Sequence, residues 1–211
     1  MNLHRPYYSM GWIVLLFMAG HSLGVFSGAT AAEAAIEQPA IAEDTPATSE
    51  LPPEDVIVRS VLEEVQRTDQ CNGFYDPNIA LTQSQVLWIG NSVLVEVVCT
   101  LTAYQLIYTY SAYASDGSIL PLPLDTFYRD EAGGFERSNT LTLAGLADFD
   151  HNRNELAVFS KARGLGDCGS WAAYQWTGME FVLTTFRYQV CGDSAGEYVA
   201  PTDYPQVFPF D

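Results

Sequence analysis

The clearest metal-binding pattern in the sequence is a short segment of polar residues near position 150. Its oxygen-bearing side chains alternate along the chain and belong to Asp148, Asp150, Asn152 and Asn154. Calcium takes about six to eight hard oxygen ligands, which alternating Asp and Asn side chains can supply. Arg153 stands where such loops usually have a glycine, and its charge opposes a cation. Since Asp and Asn also favour plain turns, the segment predicts either a weak calcium site or a turn.

The patterns that could support catalysis are weaker. A glycosidase needs two carboxyl groups flanking the scissile bond. Pairs such as Asp130–Glu131 or Asp148 with Asp150 would qualify, but 26 acidic residues produce such pairs without catalytic purpose. A Ser-His-Asp triad would have to use His151, and no G-x-S-x-G lies near it. The sequence therefore favours a protein that is not an enzyme, with a hydrolase of envelope polymers acting through paired carboxylates as the alternative.

Four cysteines carry the other reactive side chains: Cys71, Cys99, Cys168 and Cys191. An even number of cysteines in an exported chain predicts two disulfides. Three pairings satisfy this count, and sequence order favours Cys71–Cys99 with Cys168–Cys191. A zinc site is the alternative, but the spacing shows no C-x-x-C. Two disulfides would leave no thiol for nucleophilic catalysis.

Three tyrosines are the strongest binding candidates. Tyr104, Tyr108 and Tyr110 fall on one face of a predicted strand, because alternate residues of a strand point the same way. A stripe of tyrosines could stack on a glycan or anchor a protein partner. The alternative is ordinary cross-strand packing in a small β core.

The N-terminal residues predict export. Residues 1–31 carry Arg5, an apolar run over residues 11–26 and the A-x-A site Ala29-Thr30-Ala31, which together are typical of a signal peptide. The run falls short of the roughly 20 apolar residues that a membrane span needs. We expect cleavage after Ala31 or Ala32 and delivery to the periplasm or the exterior.

Charge limits the partners that the exported chain could bind. The formal net charge is −17 at pH 7, which repels phosphate backbones and anionic lipid headgroups. We therefore expect no nucleic-acid partner and no membrane contact after signal cleavage. Residues 32–53 are rich in Ala, Glu, Pro and Thr without an aromatic residue, which is typical of a flexible acidic linker.

The elements that must position these side chains are mostly strands. Val56, Val61 and Val65 recur at helical spacing and predict one short helix after the linker. Beyond it, β-branched and aromatic runs separated by turn residues such as Gly90-Asn91 predict seven or eight strands. The predicted strands cover residues 86–89, 93–98, 104–113, 141–146, 156–160, 171–176 and 181–190. We expect residues 54–211 to form one mostly β domain with a short N-terminal helix, an antiparallel sandwich-like or barrel-like meander and two disulfides.

The most distinctive segment is Lys161–Gly169, with the sequence KARGLGDCG. It is followed by the hairpin sequence YQWTGMEFVL (174–183), then Cys191, then Asp203-Tyr204-Pro205. This order resembles an exported bacterial family known as domain of unknown function 1176, most closely over about residues 140–205. The family has K-x-R-G-x-G-D-C-G, an aromatic-x-W-x-G-x-x-F-x-L hairpin, a cysteine and D-W-P, so Tyr204 replaces a tryptophan. The resemblance implies export, disulfides and no established activity.

The same segment spells G-x-G-x-x-G at Gly164, Gly166 and Gly169. A dinucleotide site needs that run to open a helix, whereas the aromatic spacing that follows predicts a strand. We therefore interpret the glycines as a tight bend beside a disulfide. Lys161 and Arg163 are expected to pair with Asp167 or with the acidic surface.

Taken together, these patterns predict a non-enzymatic exported module that binds an envelope protein or a glycan through an aromatic sheet face. Calcium is the one cofactor that the sequence suggests, with a calcium-stabilised structural module as a further alternative.

Overall fold

The computed structural model of the protein describes residues 51–192 and 198–209. The predicted signal peptide (1–31) and residues 32–50 of the predicted linker lie outside these residues. The described helices are α1 (Glu54–Arg67), α2 (Pro77–Gln83) and a single 3-10 turn (Pro201–Asp203). The strands are β1 (Gln85–Ile89), β2 (Ser92–Leu101), β3 (Leu106–Tyr113), β4 (Ile119–Pro121), β5 (Leu124–Arg129), β6 (Phe135–Thr140), β7 (Leu143–Asp150), β8 (Glu155–Lys161), β9 (Gly169–Trp176), β10 (Phe181–Gln189) and β11 (Gln206–Phe208).

Helix α1 is the helix that the apolar spacing predicts. Its acidic first turn and basic last turn oppose the partial charges at the helix ends. Its buried side chains, one face of the helix, are Ile57, Val61, Leu62 and Val65. The burial of this face holds α1 against the sheet.

Helix α2 was not predicted, so the described chain has two α-helices where the sequence indicated one. Asp76 begins the helix: its carboxylate Oδ1 accepts hydrogen bonds from the backbone N–H of Asn78 (2.9 Å) and Ile79 (3.2 Å). Pro77 follows at the first helical position, where its missing N–H costs nothing. The helix has seven residues, too few for an apolar period to appear. Within the described residues, neither α-helix has the length and apolar composition to cross a membrane.

Nine of the described strands form one antiparallel sheet with the order β1-β2-β3-β7-β8-β9-β10-β11 and with β4 beside β3, and β5 and β6 form a separate two-stranded sheet. The mostly β, antiparallel fold with two disulfides is therefore confirmed. The predicted hairpin at Gly90-Asn91 is also confirmed, with Ile89 opposite Ser92. Four strands were missed: β4 and β11 have three residues each, and β5 pairs only with the polar strand β6. Cross-strand contacts such as Arg137–Asp125 tie the polar strand β6 to β5, whose Leu124 and Phe127 are buried.

The described residues form two hydrophobic cores, one on each face of β2. The helix-side core lies between α1 and the side chains of Val93, Val95, Val97 and Cys99. The second core lies on the other face, where Leu94 and Val98 pack with side chains of β3, β5 and β8–β10. Phe127 of the β5–β6 hairpin packs there against Phe186 of β10, with ring centroids 5.2 Å apart. Because its side chains alternate, β2 contributes to both cores.

A buried carboxylate lies within the second core. Glu96 of β2 is flanked in register by Gln85 of β1 and Tyr110 of β3. The Tyr110 hydroxyl donates to Glu96 Oε2 (2.8 Å), and the Gln85 amide donates to Oε1 (3.0 Å). Both carboxylate oxygens therefore have a donor, which a buried polar group requires. Among the described residues, no salt bridge involves Glu96.

Alkaline pH should destabilise the fold through its buried tyrosines. Burial, reinforced by the charge of Glu96, raises the pKa of Tyr110 well above its usual value. Burial also raises the pKa of Tyr174, whose hydroxyl donates to the Asp125 carbonyl (2.9 Å). Unfolded tyrosines lose their protons near pH 10, where the folded ones keep theirs. The unfolded state then binds fewer protons, so the free energy of unfolding falls as the pH rises above about 10.

Urea denaturation between pH 8 and 11 measures this effect. We expect Tyr110→Phe to lower the free energy of unfolding by about 1–3 kcal/mol at pH 8, because Glu96 loses a donor. Above about pH 10, the free energy of unfolding of this variant should fall less steeply than that of wild type. Tyr198→Phe is the matched control, since Tyr198 is largely exposed. Parallel pH curves for wild type and Tyr110→Phe would contradict the prediction.

Candidate functional site

The family-like segment Lys161–Gly169, named here the signature loop, connects β8 to β9 and is closed by an ion pair. The Arg163 guanidinium donates from Nε to Asp167 Oδ1 (2.8 Å) and from a terminal nitrogen to Oδ2. Arg163 also donates to the Gly192 carbonyl (3.2 Å). A bidentate guanidinium–carboxylate pair fixes geometry as well as charge. The predicted pairing of Arg163 with Asp167 is confirmed, whereas no salt bridge of the described residues includes Lys161.

The C-terminal segment 198–209 packs onto this loop through Tyr204, which is fully buried. Its hydroxyl donates to the Gly166 carbonyl (3.3 Å), and its own carbonyl accepts from Arg187 (2.9 Å). The Tyr204 ring meets the Phe159 ring edge to face, with centroids 6.2 Å apart. The hydroxyl of the residue that replaces the family's tryptophan is thus hydrogen-bonded. The signature loop, Cys191 and the Asp203-Tyr204-Pro205 segment therefore meet at one end of β9 and β10, whereas the hairpin motif (174–183) closes the other end.

Both disulfides have the pairing that sequence order favours. Cys71–Cys99 joins the chain just after α1 to β2, and Cys168–Cys191 joins the signature loop to the end of β10. No free cysteine occurs among the described residues. Each disulfide therefore joins chain segments at the ends of helices or strands whose side chains form the two cores.

The glycines of the signature loop make a bend. Gly166 has φ +68° and Gly169 has φ +139°, conformations that side chains rarely adopt. A Cβ added at Gly169 would lie 2.0 Å from the Ser160 carbonyl oxygen. The run leads into strand β9 (Gly169–Trp176) and does not open a helix, so it lacks the helix N-terminus that holds a pyrophosphate. We call this tight bend, which the Arg163–Asp167 ion pair closes, the clamp.

The predicted calcium segment spans the end of β7, a turn and the start of β8. Asp150 Oδ1 accepts from the backbone N–H of Asn152 (2.8 Å) and Arg153 (3.3 Å). Asn154 takes a left-handed conformation with φ +51°, and Asp148 lies on β7 opposite Ala157. In the described ranges, no group of three or more His, Cys, Asp and Glu side chains is placed to hold a metal ion. The contacts are those of a turn, and calcium stays a proposal.

The three candidate tyrosines do not lie together. Tyr108 and Tyr110 share a face of β3 and stack with centroids 6.5 Å apart, but both are buried in the second core. Tyr104 precedes β3 and is 38% exposed. Its hydroxyl donates to the Ala162 carbonyl of the signature loop (3.4 Å). Of the three, only Tyr104 is therefore exposed.

A groove that the sequence analysis missed lies where three turns meet, near Gly90, Gly117 and Gly178. Its volume is about 420 Å³. Trp176 (6% exposed) and Tyr113 (9%) lie deep in it, whereas Leu120 (61%) and Met179 (80%) stand exposed beside them. The neutral polar side chains along it are Asn91, Ser92, Ser115 and Ser118. None of the described residues that line it carries a charge.

One local signal could have pointed to this groove. Met179 follows the turn Thr177-Gly178, a position where polar residues are the rule. Its neighbours in space come from β3 and β4, more than 50 positions away in the sequence. Only the folded chain brings them together.

The chain matches the model of a family described as "Protein of unknown function (DUF1176)" over residues 25–205. The matched span is more than half of the chain and includes the signature loop, both disulfides and the groove. The chain matches no curated protein and no solved structure. The resemblance that the motifs indicate is confirmed, and the family's description assigns no activity.

Substitution of Gly169 tests the clamp. Gly169→Ala forces a side chain against the Ser160 carbonyl at an unfavourable φ, and we expect it to lower the free energy of unfolding by at least about 3 kcal/mol. Gly164→Ala is the control in the same loop, because its added Cβ would meet Tyr104 at an ordinary 3.7 Å. Urea denaturation followed by tryptophan fluorescence measures both. Equal stability of the two variants would refute the clamp.

Two substitutions of Asp150 separate a turn from a calcium site. Asp150→Ala removes the acceptor of two backbone N–H groups and should cost about 1 kcal/mol, whereas Asp150→Asn keeps an acceptor and should stay within about 0.5 kcal/mol. A calcium site would instead raise the melting temperature of wild type in millimolar calcium and lose that rise in Asp150→Asn. Thermal unfolding with calcium and with chelator decides between them.

Proposed function

The chain belongs to the DUF1176 family of proteins of unknown function, and we propose that it is an exported, non-enzymatic module that binds an envelope protein. The groove between its three turns would receive apolar side chains of that partner. The observation that carries the proposal is an uncharged groove flanked by exposed Leu120 and Met179 in a chain of net charge −17.

The composition of the groove supports a binding role. Ligand sites are mostly apolar and have a few polar groups that fix orientation, and the groove combines aliphatic and aromatic side chains with neutral hydroxyl and amide groups. Methionine adapts its shape to a partner, and Met179 is largely exposed. Full burial of a leucine or methionine side chain contributes about 1.5–3 kcal/mol. Burial of Leu120 and Met179 against a partner would therefore contribute favourably to the free energy of binding.

The exposures favour a polypeptide over a glycan. A sugar ring stacks on an aromatic face that is open to solvent. Trp176 and Tyr113 are almost completely buried, so they offer little ring surface. The exposed part of the groove is aliphatic and sulfur-containing, which suits leucine, methionine or phenylalanine side chains of a protein.

The surroundings of the acidic residues favour binding over hydrolysis. General acid–base chemistry needs a titratable side chain within hydrogen-bond reach of the substrate. Among its described lining residues the groove has no carboxyl, imidazole, amine or thiol group, and its one phenol, that of Tyr113, is largely buried. Of the candidate carboxylates, Asp130 accepts from the Gly134 N–H (2.7 Å) and Asp150 accepts from its own turn. Each of these carboxylates stabilises the turn in which it lies, so its position has a structural explanation.

Export is part of the proposal. Disulfides persist in oxidising compartments, and the described chain has two. The predicted signal peptide, which lies outside the described residues, would direct the chain there. The partner would then be a protein of the periplasm or of the exterior.

Selection from a library of random peptides displayed on phage tests the proposed function. The target is the immobilised protein with both disulfides formed. We expect enrichment of leucine, phenylalanine, methionine and tryptophan, and about tenfold weaker binding of the selected peptides to Leu120→Ser and to Met179→Ser. Both side chains are exposed, so both variants should fold.

Leu146→Ser is the matched control, because Leu146 is also exposed (45%) but does not line the groove. It should bind the selected peptides as wild type does. If no peptide is enriched, or if the groove variants bind as tightly as the control, the proposed function is wrong.

A further inference from the structure

We propose that the partner segment is basic: an apolar anchor that enters the groove, flanked by lysine or arginine side chains. This rests on the proposed function and adds the chemistry of the partner. The apolar lining of the groove would bind the apolar anchor, and the acidic side chains beside the groove would attract the basic flanks.

Acidic side chains stand directly beside the uncharged groove. Asp116 follows the groove residue Ser115, and Glu180 follows Met179. Both acidic residues are exposed. Hydrogen bonds from the side chain and backbone of Ser118 lower the pKa of Asp116, so its carboxylate stays ionised in mildly acidic surroundings. None of the salt bridges in the described ranges involves Asp116 or Glu180.

A third acidic position lies at the start of α1. Glu54 and Asp55 follow the groove residue Leu51 by three and four positions and are exposed. The carboxylate of Glu54 accepts from the indole N–H of Trp88 (2.6 Å), which holds it near the first strand. Glu54 and Asp55 line a separate pocket together with Arg59, so the acidic side chains directly beside the groove are Asp116 and Glu180.

The cations of the described chain are mostly engaged elsewhere. Four arginines form the salt bridges Arg67–Glu64, Arg137–Asp125, Arg153–Glu155 and Arg163–Asp167. Arg187 donates to the Tyr204 carbonyl. No lysine or arginine lines the groove within the described ranges. A basic segment would meet complementary charge, whereas an acidic segment would be repelled.

Side chains, and not an added strand, should provide the contact. Strand β4 beside the groove has three residues, and it ends in Pro121, which has no N–H to donate. Short edges with proline resist pairing with a further strand. The inference therefore concerns side-chain chemistry and charge.

Three synthetic peptides with one apolar centre test the inference: RKSLFLSKR, SSSLFLSSS and EESLFLSEE. Binding is measured by fluorescence anisotropy of labelled peptides at about 20 mM and about 500 mM salt. At low salt we expect the basic peptide to bind at least tenfold more tightly than the neutral one and the acidic peptide not to bind. High salt should reduce this preference to threefold or less, because exposed charges are screened.

Variants separate this inference from the proposed function. Asp116→Asn combined with Glu180→Gln should remove most of the preference for the basic peptide and leave the neutral peptide unchanged. Glu63→Gln combined with Glu131→Gln changes the net charge equally at exposed positions that do not line the groove, and should keep the preference.

Each contrary result has a distinct meaning. Equal binding of the basic and neutral peptides, lost in Leu120→Ser, would overturn the charge inference and leave the proposed function standing. Undiminished binding of the basic peptide to Leu120→Ser and Met179→Ser would reveal non-specific attraction and overturn the inference. Binding of none of the peptides would overturn both.

Discussion

Strand β2 has seven consecutive buried residues, Val93 to Cys99, so neither of its faces can remain in water. One face is covered by α1, and the other is covered by the rest of the meander and by the β5–β6 hairpin. Cys99 ties this strand to the chain after α1 through Cys71. The β1–β2 turn, which borders the groove, is thereby held by two cores at once.

The buried carboxylate of Glu96 makes the register of this strand specific. A carboxylate removed from water costs several kcal/mol unless donors replace the solvent. Gln85 and Tyr110 supply them from the strands on either side. A shift by one residue would turn Glu96 towards the helix-side core and separate it from both donors. The network therefore selects one pairing of three strands that their apolar side chains alone would specify less sharply.

Local patterns predicted the elements whose stability is local. The face of α1 and the Gly90-Asn91 hairpin could be derived from spacing and turn chemistry, whereas sequence order favoured the observed disulfide pairing but left two other pairings open. Helix α2 and strand β6 could not, because a cap at Asp76 and cross-strand charge pairs replace an apolar period there. The predicted tyrosine stripe is not exposed for a different reason: the period of two that puts Tyr108 and Tyr110 on one face of β3 also points both side chains into the core. The groove joins turns that are distant in sequence, which no local pattern reports.

The few cations of the chain affect both the stability of the fold and the charge of the surface. Arg163 and Arg137 are used within the chain, where they close the signature loop and hold the β5–β6 hairpin. A chain with nine cationic and 26 acidic residues then keeps most of its negative charge unneutralised. The field of such a surface acts over about a Debye length, roughly 8–10 Å, whereas the groove acts only at contact. In the proposed role, the negative surface would therefore attract basic proteins, and contact with the apolar groove would determine which of these proteins bind.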